Sequence, residues 1–112
     1  MLAFVTGGTG FVGSNLVAAL TDRGIRVRVL RRPTSSLAGL DGLACEMCVG
    51  DVLANVDTLV AATVGCSWVF HTAAISEYWR YRGRNHLYRT NVEGTRNVLT
   101  TSGKCVSQLR RR

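Results

Sequence analysis

Thr6-Gly7-Gly8-Thr9-Gly10-Phe11-Val12-Gly13 is the stretch of this 112-residue chain whose residue types and spacing point to chemistry. Gly7, Gly10 and Gly13 fall at G-x-x-G-x-x-G, and Gly8, Gly10 and Gly13 also satisfy G-x-G-x-x-G. Glycines so spaced permit a tight turn, close approach of a pyrophosphate and close helix packing, provided that a strand precedes them and a helix follows. The helix N-terminus then offers unpaired N–H groups and a partial positive charge to the phosphates. A glycine-rich turn with no ligand is the competing reading.

The flanking sequence predicts both elements. Leu2-Ala3-Phe4-Val5-Thr6 is an apolar run of buried-strand length. From Phe11 the period changes: Val12, Leu16 and Leu20 recur at four-residue spacing, Arg23 sits in the last turn and Gly24 offers a left-handed stop. Residues 25 to 30 alternate apolar and basic side chains before Arg31-Arg32-Pro33 ends a second strand. A third strand is expected over residues 44 to 49, closed by Gly50-Asp51. Val52, Val56, Leu59, Val60 and Val64 then share a helical face with Gly65 as the stop. Residues 67 to 71 read as a fourth strand, followed by a loop at Thr72-Ala73-Ala74. A last helix is expected from about Asn85 to Leu99, with Leu87, Tyr88, Val92, Thr95, Val98 and Leu99 on one side. This alternation predicts an α/β fold with a doubly wound parallel sheet in the order 3-2-1-4, in which strand four forms an exposed edge.

The end of strand two is where such a fold meets an adenosine ribose, and an NAD-selective site places an acid there. This chain has Arg31 and Arg32, which suit a 2′-phosphate, so NADP(H) is preferred and NAD(H) remains possible. Thr34, Ser35 and Ser36 offer further hydroxyls. Two solvated arginines are the alternative.

Composition narrows the classes further. A hydrophobic content of 46% with 19% charged residues fits a globular chain, and no apolar run approaches the roughly 20 residues of a membrane helix. The net charge of +7 lies wholly in the last third, where nine basic residues face Glu77 and Glu93. A nucleic-acid partner is therefore a minor reading, carried by Tyr78, Trp79 and Tyr81 interleaved with Arg80, Arg82 and Arg84. Cys45, Cys48, Cys66 and Cys105 have neither the spacing nor an export signal that supports a disulfide framework, which points to a reduced, cytoplasmic chain. Cys45 and Cys48 would lie on opposite faces of a strand, and His71 and His86 stand alone, so no metal site is expected.

TGGTGFVG at 6 to 13, GDV at 50 to 52, VFHTAA at 69 to 74 and NVEGTRNVL at 91 to 99 together resemble the extended short-chain dehydrogenase/reductase superfamily. Within it, the chain is similar to the NAD-dependent epimerase/dehydratase group, especially dihydroflavonol-reductase-like and hopanoid-associated sugar epimerase-like members, because YW at 78 to 79 precedes LYRTNVEGTRNVL. The resemblance covers residues 1 to 99 and implies a Rossmann-type cofactor domain, with residues 100 to 112 as a basic tail unlike the family. It implies cofactor contacts from Thr6, Gly7, Gly10, Phe11, Val12, Gly13, Arg31 and Arg32, with Asp51 and Val52 bordering the adenine. Thr72, Ala73 and Ala74 would line the dinucleotide, and Asn91 would brace the active-site side of the last helix. For Asp51 a helix N-cap is the competing role, for Asn91 a locally satisfied buried polar group, and His71 reads as a packing residue.

Enzymes of that group use a Tyr-x-x-x-Lys pair with a preceding Ser or Thr, and neither is present here. Lys104 is the only lysine, with Thr100 four residues before it. Lysine and the cofactor ribose lower the tyrosine pKa in that arrangement, so its absence predicts binding without turnover. The chain is accordingly expected to be the N-terminal part of a reductase or epimerase of roughly 300 residues, truncated or frame-shifted after Leu99. The other expectation is a non-catalytic dinucleotide-binding module that forms a homo-oligomer through its exposed sheet edge.

Overall fold

The computed structural model describes residues 1–73 and 88–110, with side chains described as far as residue 104. Four strands form one parallel sheet: β1 (Leu2–Thr6), β2 (Arg26–Arg31), β3 (Glu46–Val49) and β4 (Trp68–His71). Their order is β3-β2-β1-β4, as expected from the alternation of elements. β1 is central, pairing Thr6 with Leu30 on one side and with His71 on the other. All five of its residues are buried, which an uninterrupted apolar strand requires when both faces of the sheet are covered.

Alternate residues of β1, β2 and β4 feed two cores. Ala3, Val5, Val27 and Val29 meet Val17 and Leu20 of helix α1 (Phe11–Asp22), with Leu40 from a short 3-10 turn at Ala38–Leu40. Phe4 and Leu30 face the opposite way, onto Val52, Leu59 of helix α2 (Val56–Ala62) and Val98 of helix α3 (Gly94–Arg110). The expected face of α1 shifts by one residue: Gly13, Val17 and Leu20 are buried, whereas Val12 is exposed. Strict four-residue spacing drifts around a helix of 3.6 residues per turn, and the buried set keeps the i, i+4, i+7 pattern that follows one face. Gly24 closes α1 at φ +74°, with Ile25 N–H bonded to the Leu20 carbonyl and Gly24 N–H to that of Thr21.

β2 has basic residues on its second face, and Arg28 shows how they are accommodated. Its Nη1 donates to the carbonyls of Ala62 (2.7 Å) and Val64 (2.9 Å), while Nε pairs with Glu46 on β3 at 3.1 Å. A guanidinium thus closes the C-terminus of α2, where the last carbonyls lack helical partners and the dipole favours a cation. Arg26 pairs with the same carboxylate, and the two arginines hold Glu46 below the usual carboxylate range.

Two helices differ from expectation. α2 starts only at Val56, because the Asn55 side chain caps it by accepting from Asp57 N–H at 2.7 Å; Val52 is buried ahead of the helix and Val64 is exposed after it. In the last helical segment, Tyr88 is already helical, a π turn follows at Arg89–Glu93, and the helix runs to Arg110, well past Leu99. A π turn inserts an extra residue into the helical repeat, so Tyr88, Val92 and Leu99 fall on exposed positions while Val98 and Thr101 are buried. The hydroxyls of Thr100, Thr101 and Ser102 donate to carbonyls four residues back, at 2.8–3.0 Å, so this polar run satisfies itself within a helix. Asn85, Leu87, Ala74 and the aromatic and basic residues 78 to 84 lie outside the described residues. Among those described, no helix is long and apolar enough to cross a membrane.

Candidate functional site

All four strands are parallel, so their C-terminal ends open on the same edge of the sheet. A cleft of about 190 Å³ lies there, collecting residues from every strand end. Gly7, Thr9 and Gly10 come from the loop after β1, Leu30, Arg32 and Ser35 from the end of β2, Gly50, Asp51 and Val52 from the end of β3, and Thr72 and Ala73 from the end of β4; Thr90 of the π turn completes the wall. The sheet order reverses between β1 and β4, the kind of position where open α/β sheets bind ligands.

The glycines divide into two kinds. At Gly7, φ is +70° and a Cβ would stand 2.5 Å from Ala73 N; at Gly13 it would stand 2.0 Å from the Gly7 carbonyl oxygen. Both glycines let backbone touch backbone, and Gly13 seats the first turn of α1 on the loop. At Gly10 a Cβ would meet, among the described residues, only the Gly7 oxygen at 3.4 Å, so the described residues leave that side open. Gly10 is also the N-cap of α1, with no side-chain cap and no acidic residue in the first turn. The donors of that turn are therefore available to an anion from outside, and the absent Cβ gives it room.

The arginine pair divides as well. Arg31 ends β2 on the face of Val27 and Val29 and does not line the cleft, whereas Arg32, one residue on, does. A turn fixes the latter: Ser35 N–H donates to the Arg32 carbonyl (3.0 Å) and Arg32 N–H to Ser35 Oγ (3.1 Å). No described acid pairs with either guanidinium. Leu40, buried against α1, anchors the far end of this loop.

Asp51 does not cap α2, the role that competed for it. Its Oδ1 instead accepts from Leu53 N–H at 3.0 Å in a local turn that leads Val52 under α3. Asn97 Nδ2 donates to the Val52 carbonyl (2.9 Å), and a Cβ on Gly94 would lie 2.6 Å from Val52 Cγ2, so α3 packs directly on this corner.

Thr6 is fully buried and positions other groups. Its carbonyl accepts from Thr72 N–H (3.1 Å) and from the Thr72 hydroxyl (2.6 Å), while its own hydroxyl lies 2.6 Å from His71 Nδ1 and accepts from Ala73 N–H at 3.3 Å. His71 Nε2 in turn lies 2.9 Å from the Thr95 hydroxyl. His71 is thus a bridge between the sheet and the last helix, more than the packing residue read from sequence. Phe11 and Val12 are exposed on the first turn of α1, Asn91 is exposed beside Thr90, and none of the three lines the cleft. The exposure of Asn91 removes its reading as a buried polar group. Sequence reasoning did not single out Thr9, Leu30, Gly50 and Thr90 as site residues; Thr9 and Gly50 carried a readable signal in the TGGTGFVG and GDV motifs, and at Gly50 a Cβ would lie 2.8 Å from Leu30.

A sequence model of the NAD dependent epimerase/dehydratase family matches residues 3–111. The chain belongs to that family. A dihydroflavonol 4-reductase-like protein of Synechocystis is 46% identical over 101 residues, covering 90% of this chain and 29% of the relative. Among solved structures, a short-chain dehydrogenase/reductase superfamily protein from Agrobacterium tumefaciens with bound NAD matches at a TM-score of 0.70 and 34% identity, over 90% of this chain and 28% of that one. The UDP-glucose 4-epimerase of Thermotoga maritima, solved with UDP-glucose, matches at 0.81 and 25%, over 93% and 34%. This epimerase/dehydratase chain therefore spans about a third or less of the length of the proteins it matches. Its Rossmann-type sheet is the one those structures share.

Proposed function

We propose that this chain is the NADP(H)-binding portion of a reductase or epimerase that acts on a carbonyl or hydroxyl substrate of sugar-nucleotide or flavonol type. The observation that carries the reading is the cleft that brings together Gly10, open on that side among the described residues, and Arg32, whose guanidinium pairs with no described acid. The α1 N-terminus would hold the pyrophosphate, Arg32 and Ser35 the 2′-phosphate, Asp51 and Val52 the adenine edge, and Thr72 and Ala73 the passage of the dinucleotide over β4. The cofactor supplies hydride transfer; these residues bind and orient it. NAD in the Agrobacterium relative keeps NAD(H) as the competing cofactor.

This chain contains no Tyr-x-x-x-Lys pair, so by itself it binds without turning over substrate. Its one lysine, Lys104, stands 3.6 Å from Asp57 on α2. Titration of the chain with NADPH and NADH tests the reading. Tighter NADPH binding is expected, and Arg32→Ala should weaken it about tenfold, equivalent to ~1.4 kcal/mol for a partly exposed charge-assisted contact, while leaving NADH unchanged. Equal affinities for the two cofactors, or tighter NADH, would remove the role of the arginine.

A second reading is favoured by Trp68, a strand residue that is 43% exposed on the edge strand β4. In that reading the chain is a binding module that pairs with a second copy through this edge. Light scattering that gives a monomer at high concentration would exclude it.

A further inference from the structure

His71 stands in a chain of hydrogen bonds whose direction is set at the Thr95 end and carried through the ring to Thr6. The Thr95 hydroxyl donates to the Asn91 carbonyl at 2.7 Å, so toward the imidazole its oxygen can only accept, and Nε2 carries the proton. At the other end the Thr6 oxygen accepts from Ala73 N–H, and its hydroxyl proton is directed at Nδ1, 2.6 Å away. The sequence of donors therefore runs from Ala73 N–H to Thr6, from Thr6 to Nδ1, from Nε2–H to Thr95, and from Thr95 to the Asn91 carbonyl. Its first member is a wall of the cleft at the end of β4, and its last lies in the π turn next to Thr90, another wall.

We propose that His71 is a positioning residue of the cleft: as a neutral imidazole it ties the Thr72–Ala73 wall, through Thr6, to the π turn that presents Thr90. The inference rests on the cofactor reading of the cleft for its effect on binding, but not for the linkage itself. The π turn interrupts the regular helical repeat, and Thr95, one residue into α3 directly after it, is bonded to His71. A doubly protonated ring would place two donors against the Thr6 oxygen, Nδ1–H and Ala73 N–H, and turn the Thr6 proton away from its only described acceptor. β1 and β4 carry no other titratable side chain. On the π turn and the start of α3 the charged residues are Arg89, Glu93 and Arg96, of which Arg89 and Glu93 pair with each other. Burial, with no described charge contributing, pushes the imidazole below its ordinary range, in keeping with the neutral form.

The test combines nitrogen NMR of the imidazole with binding of NADP+ across about pH 5 to 8, in the wild-type chain, His71→Gln, His71→Phe and Thr95→Val. His71→Gln also assigns the His71 signals against those of His86. Expected are a bare Nδ1 and a protonated Nε2, with the Ala73 and Thr90 amides titrating together at the imidazole midpoint and losing that response in His71→Gln. NADP+ affinity should fall about tenfold more on acidification in the wild type than in His71→Gln; the phosphate titration of the ligand is common to both and cancels. Glutamine, which can accept and donate but not titrate, should stay within about threefold of wild type near pH 8, whereas His71→Phe and Thr95→Val lose about tenfold. The opposite tautomer, or amides that ignore the His71 titration, would overturn the linkage even if NADP+ binds. Linked amides with no binding of NADP+ or NAD+ at any pH would leave the linkage standing and refute the cofactor reading.

Discussion

Replacing Gly10 and Gly13 separately by alanine should divide binding from folding. Gly10 has φ −82° and ψ 177°, a conformation open to any residue, and its added Cβ meets one atom at 3.4 Å. Restricting the unfolded chain stabilises such a Gly→Ala change by about 0.4–1 kcal/mol, whereas alanine is a poorer N-cap by several tenths. The two nearly cancel, so Gly10→Ala should melt within a few degrees of wild type, at roughly 4–8 °C per kcal/mol. At Gly13 the new Cβ would lie 2.0 Å from the Gly7 oxygen and 2.8 Å from Gly8 Cα, both backbone atoms with no flexible end to yield. To reach an ordinary contact the first turn of α1 must move by about 1 Å, a strain of the overpacking class that costs about 1–3 kcal/mol. Thermal unfolding and NADPH titration of the two variants are the assays. Gly10→Ala should keep its Tm and lose about 1.5–3 kcal/mol of binding, some 10- to 150-fold, because its methyl occupies the approach to the helix N–H groups. Wild-type affinity in Gly10→Ala would refute the placement of the pyrophosphate, and a wild-type Tm in Gly13→Ala would refute the packing argument.

Other outcomes follow from the same geometry. Arg28→Met should destabilise the chain by about 1–3 kcal/mol in urea unfolding, because the carbonyls of Ala62 and Val64 lose their donor; the exposed Glu46 should matter much less, so Glu46→Gln serves as the comparison. Stability should also depend on pH through His71. The folded imidazole lies below its unfolded value of about 6.5, so the unfolded state binds more protons in that window. This contribution is complete above about pH 6.5 and declines as pH falls below it, and His71→Gln should flatten that part of the Tm profile. Burial raises the Cys45 and Cys48 thiols, so both should react with iodoacetamide near pH 7 more slowly than a free cysteine.

The sheet order and the boundaries of β1 were legible because a fully buried central strand leaves an uninterrupted apolar run, and a glycine loop marks its end. The loop that lines the cleft was legible at Gly7 and Gly10, and its packing on α1 at Gly13. What sequence could not supply was direction. Arg31 and Arg32 look equivalent in a string, yet strand alternation sends only the second to the cleft. The apolar face of the last helix was misjudged because periodicity assumes 3.6 residues per turn, and the π turn at Arg89–Glu93 breaks that count. The cap that competed with an adenine contact for Asp51 was read from its place ahead of an apolar helical pattern, but Asn55 begins the helix four residues later.

The segment NVEGTRNVL shows why its residue types sit so close together. Gly94 removes a side chain where α3 crosses Val52, Asn97 binds the Val52 carbonyl, and Thr95 faces His71 from the same turn. One helical turn is therefore fixed at once to the β3 corner and to the end of β4, on either side of the cleft. Gly94→Ala would push α3 away from Val52 through a side-chain clash at 2.6 Å, and Asn97→Leu would strand a half-buried carbonyl. If α3 were merely a cover for the second core, these changes would lower stability and leave the cleft alone. If it sets the spacing of the cleft walls, the amides of Asp51 and Thr90 should shift in both variants, and cofactor affinity should fall further than the loss of folded protein accounts for.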